Sequence, residues 1–199
     1  MFAHMFGVLF NPESEWRKMS ALPDKDVKKL LPFPIAMAIL PAIAFYIGTT
    51  MTGWKVLGND ITRMTPGSAI PISVLFYTAI MGAVIFIGWM IHWMSATYDA
   101  KSFVIKGVVL MGYACTPIFL AGIFAVYPVW WFDLLLATAA CGYAIRLVYL
   151  GVPSMMKVPE DRGFLYASAV FMVALVYMVV VLTATVILWE YVATPVFLD

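Results

Sequence analysis

The sequence predicts an all-α, polytopic membrane protein: a bundle of five transmembrane helices behind a short amphipathic N-terminal segment. Three observations predict it. Hydrophobic residues make up 64% of the 199 residues and charged residues 12%, with a mean hydropathy of +0.95; one water-soluble core of this size does not hide so much apolar surface. The apolar residues are gathered into five long stretches separated by short polar breaks. Within each stretch the apolarity is continuous rather than alternating, which excludes membrane β-strands.

Residues 1–31 form the N-terminal segment. Met1 to Phe10 are apolar, yet they lack the basic start and small-residue cleavage site of a secretion signal, and a charged stretch follows. They read as an interfacial segment. Asn11-Pro12 predicts a helix entry in which Asn caps and Pro opens the first turn, with Glu13 and Glu15 placed favourably against the helix dipole. Trp16, Met19 and Leu22 recur at helical spacing, so this helix is expected on the inner leaflet with Arg17 and Lys18 near lipid phosphates. A solvated linker is the alternative.

Residues 32–199 form the membrane domain. Crossing roughly 30 Å of hydrocarbon takes about 20 apolar residues, which places spans near 33–52, 70–94, 104–126, 129–150 and 164–189. Pro41 and Pro117 each remove a helical hydrogen bond and free a carbonyl one turn earlier, at Met37 and Tyr113, so kinks are expected there. Only Tyr127-Pro128 separates the third and fourth spans, which predicts a tight helical hairpin. The loop from Trp54 to Ala69 carries the turn formers Gly58-Asn59-Asp60 and Pro66-Gly67.

Ten of the twelve Lys and Arg residues flank one side of this topology: Arg17, Lys18, Lys25, Lys28, Lys29, Lys101, Lys106, Arg146, Lys157 and Arg162. Only Lys55 and Arg63 lie on the other. Basic flanks face the cytoplasm, so the N-terminus is expected there and the C-terminus, with Glu190 and Asp199, outside. Trp54, Trp130, Trp131 and Trp189 are expected at the outer interface, and Trp93, Tyr98, Tyr149 and Tyr166 at the inner one.

The chemistry is sparse. A net charge of +1 and no basic block argue against nucleic-acid binding. No HExxH, GxSxG, P-loop or dinucleotide-binding glycine pattern occurs, so no enzyme and no cofactor is expected. Cys115 and Cys141 fall at similar depth on the third and fourth spans. With Ala114, Ala139, Ala140 and Gly142 around them they read as small packing residues, not as a disulfide or metal pair.

One polar patch stands out. Tyr113, Thr116 and Pro117 on the third span and Tyr143 on the fourth make a candidate ligand site inside the hairpin; the other reading is that their hydroxyls satisfy a kinked backbone. Asp133 and Arg146 are charges within the fourth span and mark candidate entrances, with snorkelling as the structural alternative. Thirteen residues apart, they are separated by about 20 Å along one helix and do not pair directly.

Asn11-Pro12 followed by Trp16, the run Gly112-Tyr113-Ala114-Cys115-Thr116-Pro117, the Tyr127-Pro128 corner and Tyr149-Leu150-Gly151-Val152-Pro153 resemble the bacterial branch of the Yip domain family, the Ypt/Rab-interacting proteins. The resemblance covers almost the whole chain. It implies a five-helix membrane domain with a cytoplasmic N-terminus and a bacterial inner-membrane setting, an internal eukaryotic membrane being the alternative. Eukaryotic relatives act in membrane traffic, contact prenylated small GTPases, and carry a long acidic and aromatic N-terminal region. This chain carries about 30 residues before its first span, so the resemblance does not extend to GTPase binding.

Two functions are weighed. The first is a non-enzymatic scaffold or accessory subunit that packs against other membrane proteins, itself or lipid through small-residue faces such as Ala79 with Ala83 and Ala121 with Ala125. The second is a small transporter or channel built on the polar patch. The scarcity of polar groups within the spans favours the first.

Overall fold

The computed structural model describes residues 2–55, 61–100, 102–191 and 194–198. The turn expected at Gly58-Asn59-Asp60, and the charges of Lys101 and Asp199, lie outside these residues. Three short helices come first: α1 (Phe2–Phe10), α2 (Pro12–Ala21) and α3 (Asp24–Lys28). The long ones follow as α4 (Pro32–Ile47), α5 (Pro66–Met94), the pair α6 (Val104–Ala114) and α7 (Thr116–Ala121), α8 (Trp130–Met156) and α9 (Glu160–Tyr191).

Four segments are each long and apolar enough to cross a bilayer: Asp24–Thr52, Pro66–Tyr98, Trp130–Met156 and Asp161–Tyr191. The pair Val104–Ala114 and Thr116–Val126 makes five when counted as one span, and it is bent by 43° at its break. Pro117 is the cause. It lacks the amide proton that would have reached the Tyr113 carbonyl, and Thr116 Oγ1 donates to that carbonyl instead at 2.7 Å. At Pro41 the helix is not interrupted: α4 runs through it and is followed by a π-helical turn, Gly48–Thr52.

The helices fit together through close backbone approaches. A Cβ on Gly107 would lie 2.2 Å from the Gly88 carbonyl oxygen, and one on Gly88 would lie 2.5 Å from Val108 Cα. A Cβ on Gly112 would meet Pro34, one on Gly122 would meet Pro41, and one on Gly48 would meet the Ala125 carbonyl. That order sets α4 alongside α6 and α7 in the same direction.

The core is concentrated at the end carrying the basic flanks. Trp16, Met19, Val27, Val152, Met155, Met156 and Tyr166 are almost wholly buried there. Tyr166 donates its hydroxyl to the Ile91 carbonyl and stacks on Tyr98, while Arg162 pairs with Asp99. At the opposite end two short strands, β1 (Arg63–Met64) and β2 (Phe197–Leu198), pair antiparallel. They tie the C-terminal segment to the loop after α4. Along α9 the apolar side chains of Val176, Val179, Leu182, Val186 and Ile187 are exposed, a face that suits hydrocarbon and not water.

The N-terminal segment departs from expectation. Trp16 and Met19 do repeat along one face of α2, but that face is fully buried against α8 rather than turned to lipid. The Trp16 ring lies over Gly151, where a Cβ would come within 3.0 Å of it. Nor does α1 lie free on a surface: Met5 and Val8 are buried. Pro12 opens α2 as expected, yet the Asn11 side chain makes no capping bond; Ser14 Oγ donates to the Asn11 carbonyl.

Candidate functional site

The polar patch on the third and fourth spans resolves into separate structural contacts. Tyr113 is fully buried and stacks on Phe33 with ring centroids 4.1 Å apart and planes 12° from parallel. Thr116, also fully buried, repairs the backbone broken by Pro117. Tyr143 turns elsewhere: its hydroxyl donates to the Leu9 carbonyl at 2.5 Å and so ties α8 to α1. The guanidinium carbon of Arg146 sits 5.5 Å from the Tyr143 ring centroid, a cation–π contact that also places this exposed side chain beside the N-terminal segment.

Asp133 lies in the first turn of α8, where a carboxylate opposes the helix dipole favourably. It lines a small cavity of about 250 Å³ with Trp54, Lys55 and Trp130. Arg146 borders neither that cavity nor Asp133, so the two do not form one path.

Between α5, α6, α8 and α9 lies a cavity of about 360 Å³. Ala79, Ala83, Cys115, Cys141 and Ala174 are among its walls. Its hydroxyl, that of Tyr177, donates to the Ala79 carbonyl at 2.8 Å. Cys115 is buried, whereas Cys141, expected to be buried too, is exposed. The two thiols are not bonded to each other. This is an apolar cleft at mid-bundle.

The most tightly organised charge cluster is one the sequence did not mark. Glu15 on α2 is only 6% exposed. It accepts a 2.6 Å contact from His4 Nδ1 on α1 and a 3.0 Å bond from Lys18 Nζ. Gly7 makes room, since a Cβ there would lie 2.4 Å from the Glu15 carboxyl. Burial by itself raises the Glu15 pKa, but the His4 bond and the bond and charge of Lys18 outweigh it and hold the carboxyl below its ordinary value.

A depressed carboxylate pKa stabilises the fold above the unfolded value, about 4.3 for Glu, and that stability is lost as pH falls through the folded value. Acidification below about pH 4 is therefore expected to loosen α1 from α2. Hydrogen exchange across residues 2–10, corrected for the intrinsic pH dependence, should rise on acidification in the wild type, and Glu15→Gln should lack the step. A wild-type α1 equally protected at pH 6 and pH 3 would contradict this.

Other buried polar atoms have no hydrogen-bond partner among the described residues: Trp16 Nε1, His92 Nδ1 and Ser154 Oγ. Ser154 belongs to a further cavity of about 720 Å³ at the seam of α2 with α8 and α9. Sequence reasoning missed it, since nothing about an isolated Ser beside Pro153 signals a cavity wall.

Comparison with known proteins agrees with this architecture. The Yip1 domain model matches residues 6–181. The inner membrane protein YohC of Escherichia coli K12 is 30% identical over 189 residues, covering 95% of this chain and 97% of the relative. YohC of Escherichia coli O6:H1 strain CFT073 shows the same identity and coverage. No solved structure matches the chain. With apolar helices throughout and the domain match running from inside α1 to well along α9, this integral membrane protein belongs to the Yip1 domain family.

Proposed function

We propose that the chain is a non-enzymatic scaffold or accessory subunit that acts sideways, on neighbouring membrane proteins or lipid, and not as a conduit across the membrane. The observation that carries this reading is how the hydroxyls within the bundle are engaged. Thr116, Tyr143 and Tyr177 each donate to a backbone carbonyl, and the mid-bundle cleft is walled by apolar side chains. A hydrophilic solute would find almost nothing there to replace its water, at several kcal/mol for each unpaired polar group.

The inner membrane of a bacterium is the proposed location, supported by the description of the Escherichia coli relatives. The N-terminus is cytoplasmic and the C-terminus periplasmic in this reading. The basic flanks support that orientation, and so does the pairing of β1 with β2, which sets the C-terminal segment beside the loop after α4.

The test joins flux to composition. Thr116→Val and Tyr113→Phe in reconstituted vesicles should leave solute flux at the level of empty vesicles. Gentle extraction followed by mass spectrometry should yield a stoichiometric membrane-protein partner or retained lipid. Solute uptake by the wild type that falls several-fold in Thr116→Val would replace the scaffold with a transporter.

A further inference from the structure

The cavity at the seam of α2, α8 and α9 differs in character from the mid-bundle cleft. Glu13 and Arg17 of α2 form one wall, Tyr149 and Ser154 of α8 another, and Leu150 and Phe164 add apolar surface. Its depth follows from helix length. Trp130 and Trp131, exposed at the start of α8, mark one interface, and about 20 residues of helix span the roughly 30 Å of hydrocarbon. The other boundary therefore falls near Leu150, beside the cavity, where phospholipid headgroups begin.

Ser154 carries an unusual hydroxyl. The other four serine and threonine hydroxyls of α8 and α9, those of Thr138, Ser168, Thr183 and Thr185, each donate to the carbonyl four residues back. Ser154 Oγ makes no such bond: on a residue that lines the cavity, it is buried without a hydrogen-bond partner among the described residues. The two charges are equally unengaged. Glu13 and Arg17 sit one helical turn apart, the spacing at which such residues usually pair, yet they form no ion pair with each other or with any described residue. Arg17 donates its Nε to the Glu13 backbone carbonyl at 3.2 Å, and its side chain is exposed.

We propose that this seam binds the phosphoethanolamine headgroup of a membrane phospholipid. The phosphate lies on the Arg17 guanidinium, which matches phosphate oxygens in bidentate fashion, and the Ser154 hydroxyl donates to it after turning about its Cα–Cβ bond into the cavity. The primary ammonium reaches Glu13, and the glycerol end rests on Leu150 and Phe164. Both signs of charge in one cavity select a zwitterion over an anionic lipid. A carboxylate that accepts N–H bonds selects ethanolamine over choline, whose quaternary ammonium has no proton to donate. The site stands on its own observations, so it holds or fails independently of the scaffold reading.

The test uses the whole chain in nanodiscs made from equal parts phosphatidylethanolamine, phosphatidylcholine and phosphatidylglycerol, read by native mass spectrometry for lipid retained after ejection. The wild type should retain ethanolamine lipid at least 5-fold over each of the others. Arg17→Gln and Ser154→Ala should abolish that retention, Ser154→Thr should keep it, and Glu13→Gln should erase only the preference for ethanolamine over choline. Soluble phosphoethanolamine should compete, whereas inorganic phosphate at the same concentration should not. Equal retention of the three lipids, preference for phosphatidylglycerol, or competition by inorganic phosphate alone would each overturn the proposal. Glu13 and Arg17 are exposed, so their variants should keep the wild-type unfolding midpoint and the readout remains one of binding.

Discussion

Gly107→Ala is expected to destabilise the bundle by about 3 kcal/mol or more, at or beyond the upper end of what overpacking ordinarily costs. The added methyl would lie 2.2 Å from the Gly88 carbonyl oxygen and 3.3 Å from Ile91 Cβ. Gly88→Ala should do the same from the other helix, since its methyl would meet the Val108 backbone nitrogen at 2.6 Å and Cα at 2.5 Å. In both cases the obstacle is backbone, which no rotamer change relieves, so α5 and α6 must separate along their length. Gly67→Ala and Gly142→Ala supply the control, because a Cβ at either meets nothing within 4 Å. Ala exceeds Gly in helix propensity by about 1 kcal/mol, so those two should be neutral or slightly stabilising. Thermal unfolding in mild detergent, followed by circular dichroism, reads all four; coincident midpoints would refute the close approach of α5 and α6.

What could be read from the sequence, and what could not, divides along a physical line. Apolar length reports which segments suit hydrocarbon, and Pro117 reports where a helix loses a hydrogen bond, so the helical membrane fold and the break between α6 and α7 follow from residues alone. Helix ends follow less well. Hydropathy places the fourth span at 129–150, whereas α8 continues through Pro153 to Met156, because Met155 and Met156 are fully buried against other parts of the chain. A scale of transfer to lipid cannot see protein neighbours.

The N-terminal segment shows the same limit. The spacing of Trp16 and Met19 reports an apolar face, but a bilayer and a protein core are equally apolar, and only the fold decides that α8 covers it. The candidate site was half legible. Thr116 beside Pro117 points to a hydroxyl that repairs a kink, and it does so. Tyr143 bonds Leu9, 134 residues away in sequence, and nothing in either neighbourhood signals the pairing. His4 and Glu15 were equally hidden, each ordinary in its own segment, with Gly7 as the one small residue that hints at a close neighbour.

Trp16→Ala is expected to release α1 and α2 while leaving the rest of the bundle assembled. The side chain is fully buried, and truncating a buried Trp typically costs about 3 to 5 kcal/mol once the residual cavity is included. That cost falls on one seam. Trp16 rests on Gly151 of α8, and the ties that remain to hold α1 and α2 include the Tyr143 bond to Leu9 and the packing of Met5, Val8 and Met19. The close approach of Gly88 to Gly107 and Val108 involves none of these residues, so the opening should be local rather than global. Hydrogen exchange should therefore rise across residues 2–21 and stay unchanged in α5 and α6. Trp16→Phe should recover most of the protection, since the indole N–H has no partner to lose and only volume is removed. Uniformly faster exchange through all helices would mean instead that the N-terminal segment is part of one cooperative unit with the membrane domain, and unchanged exchange would mean that Trp16 does not hold it in place.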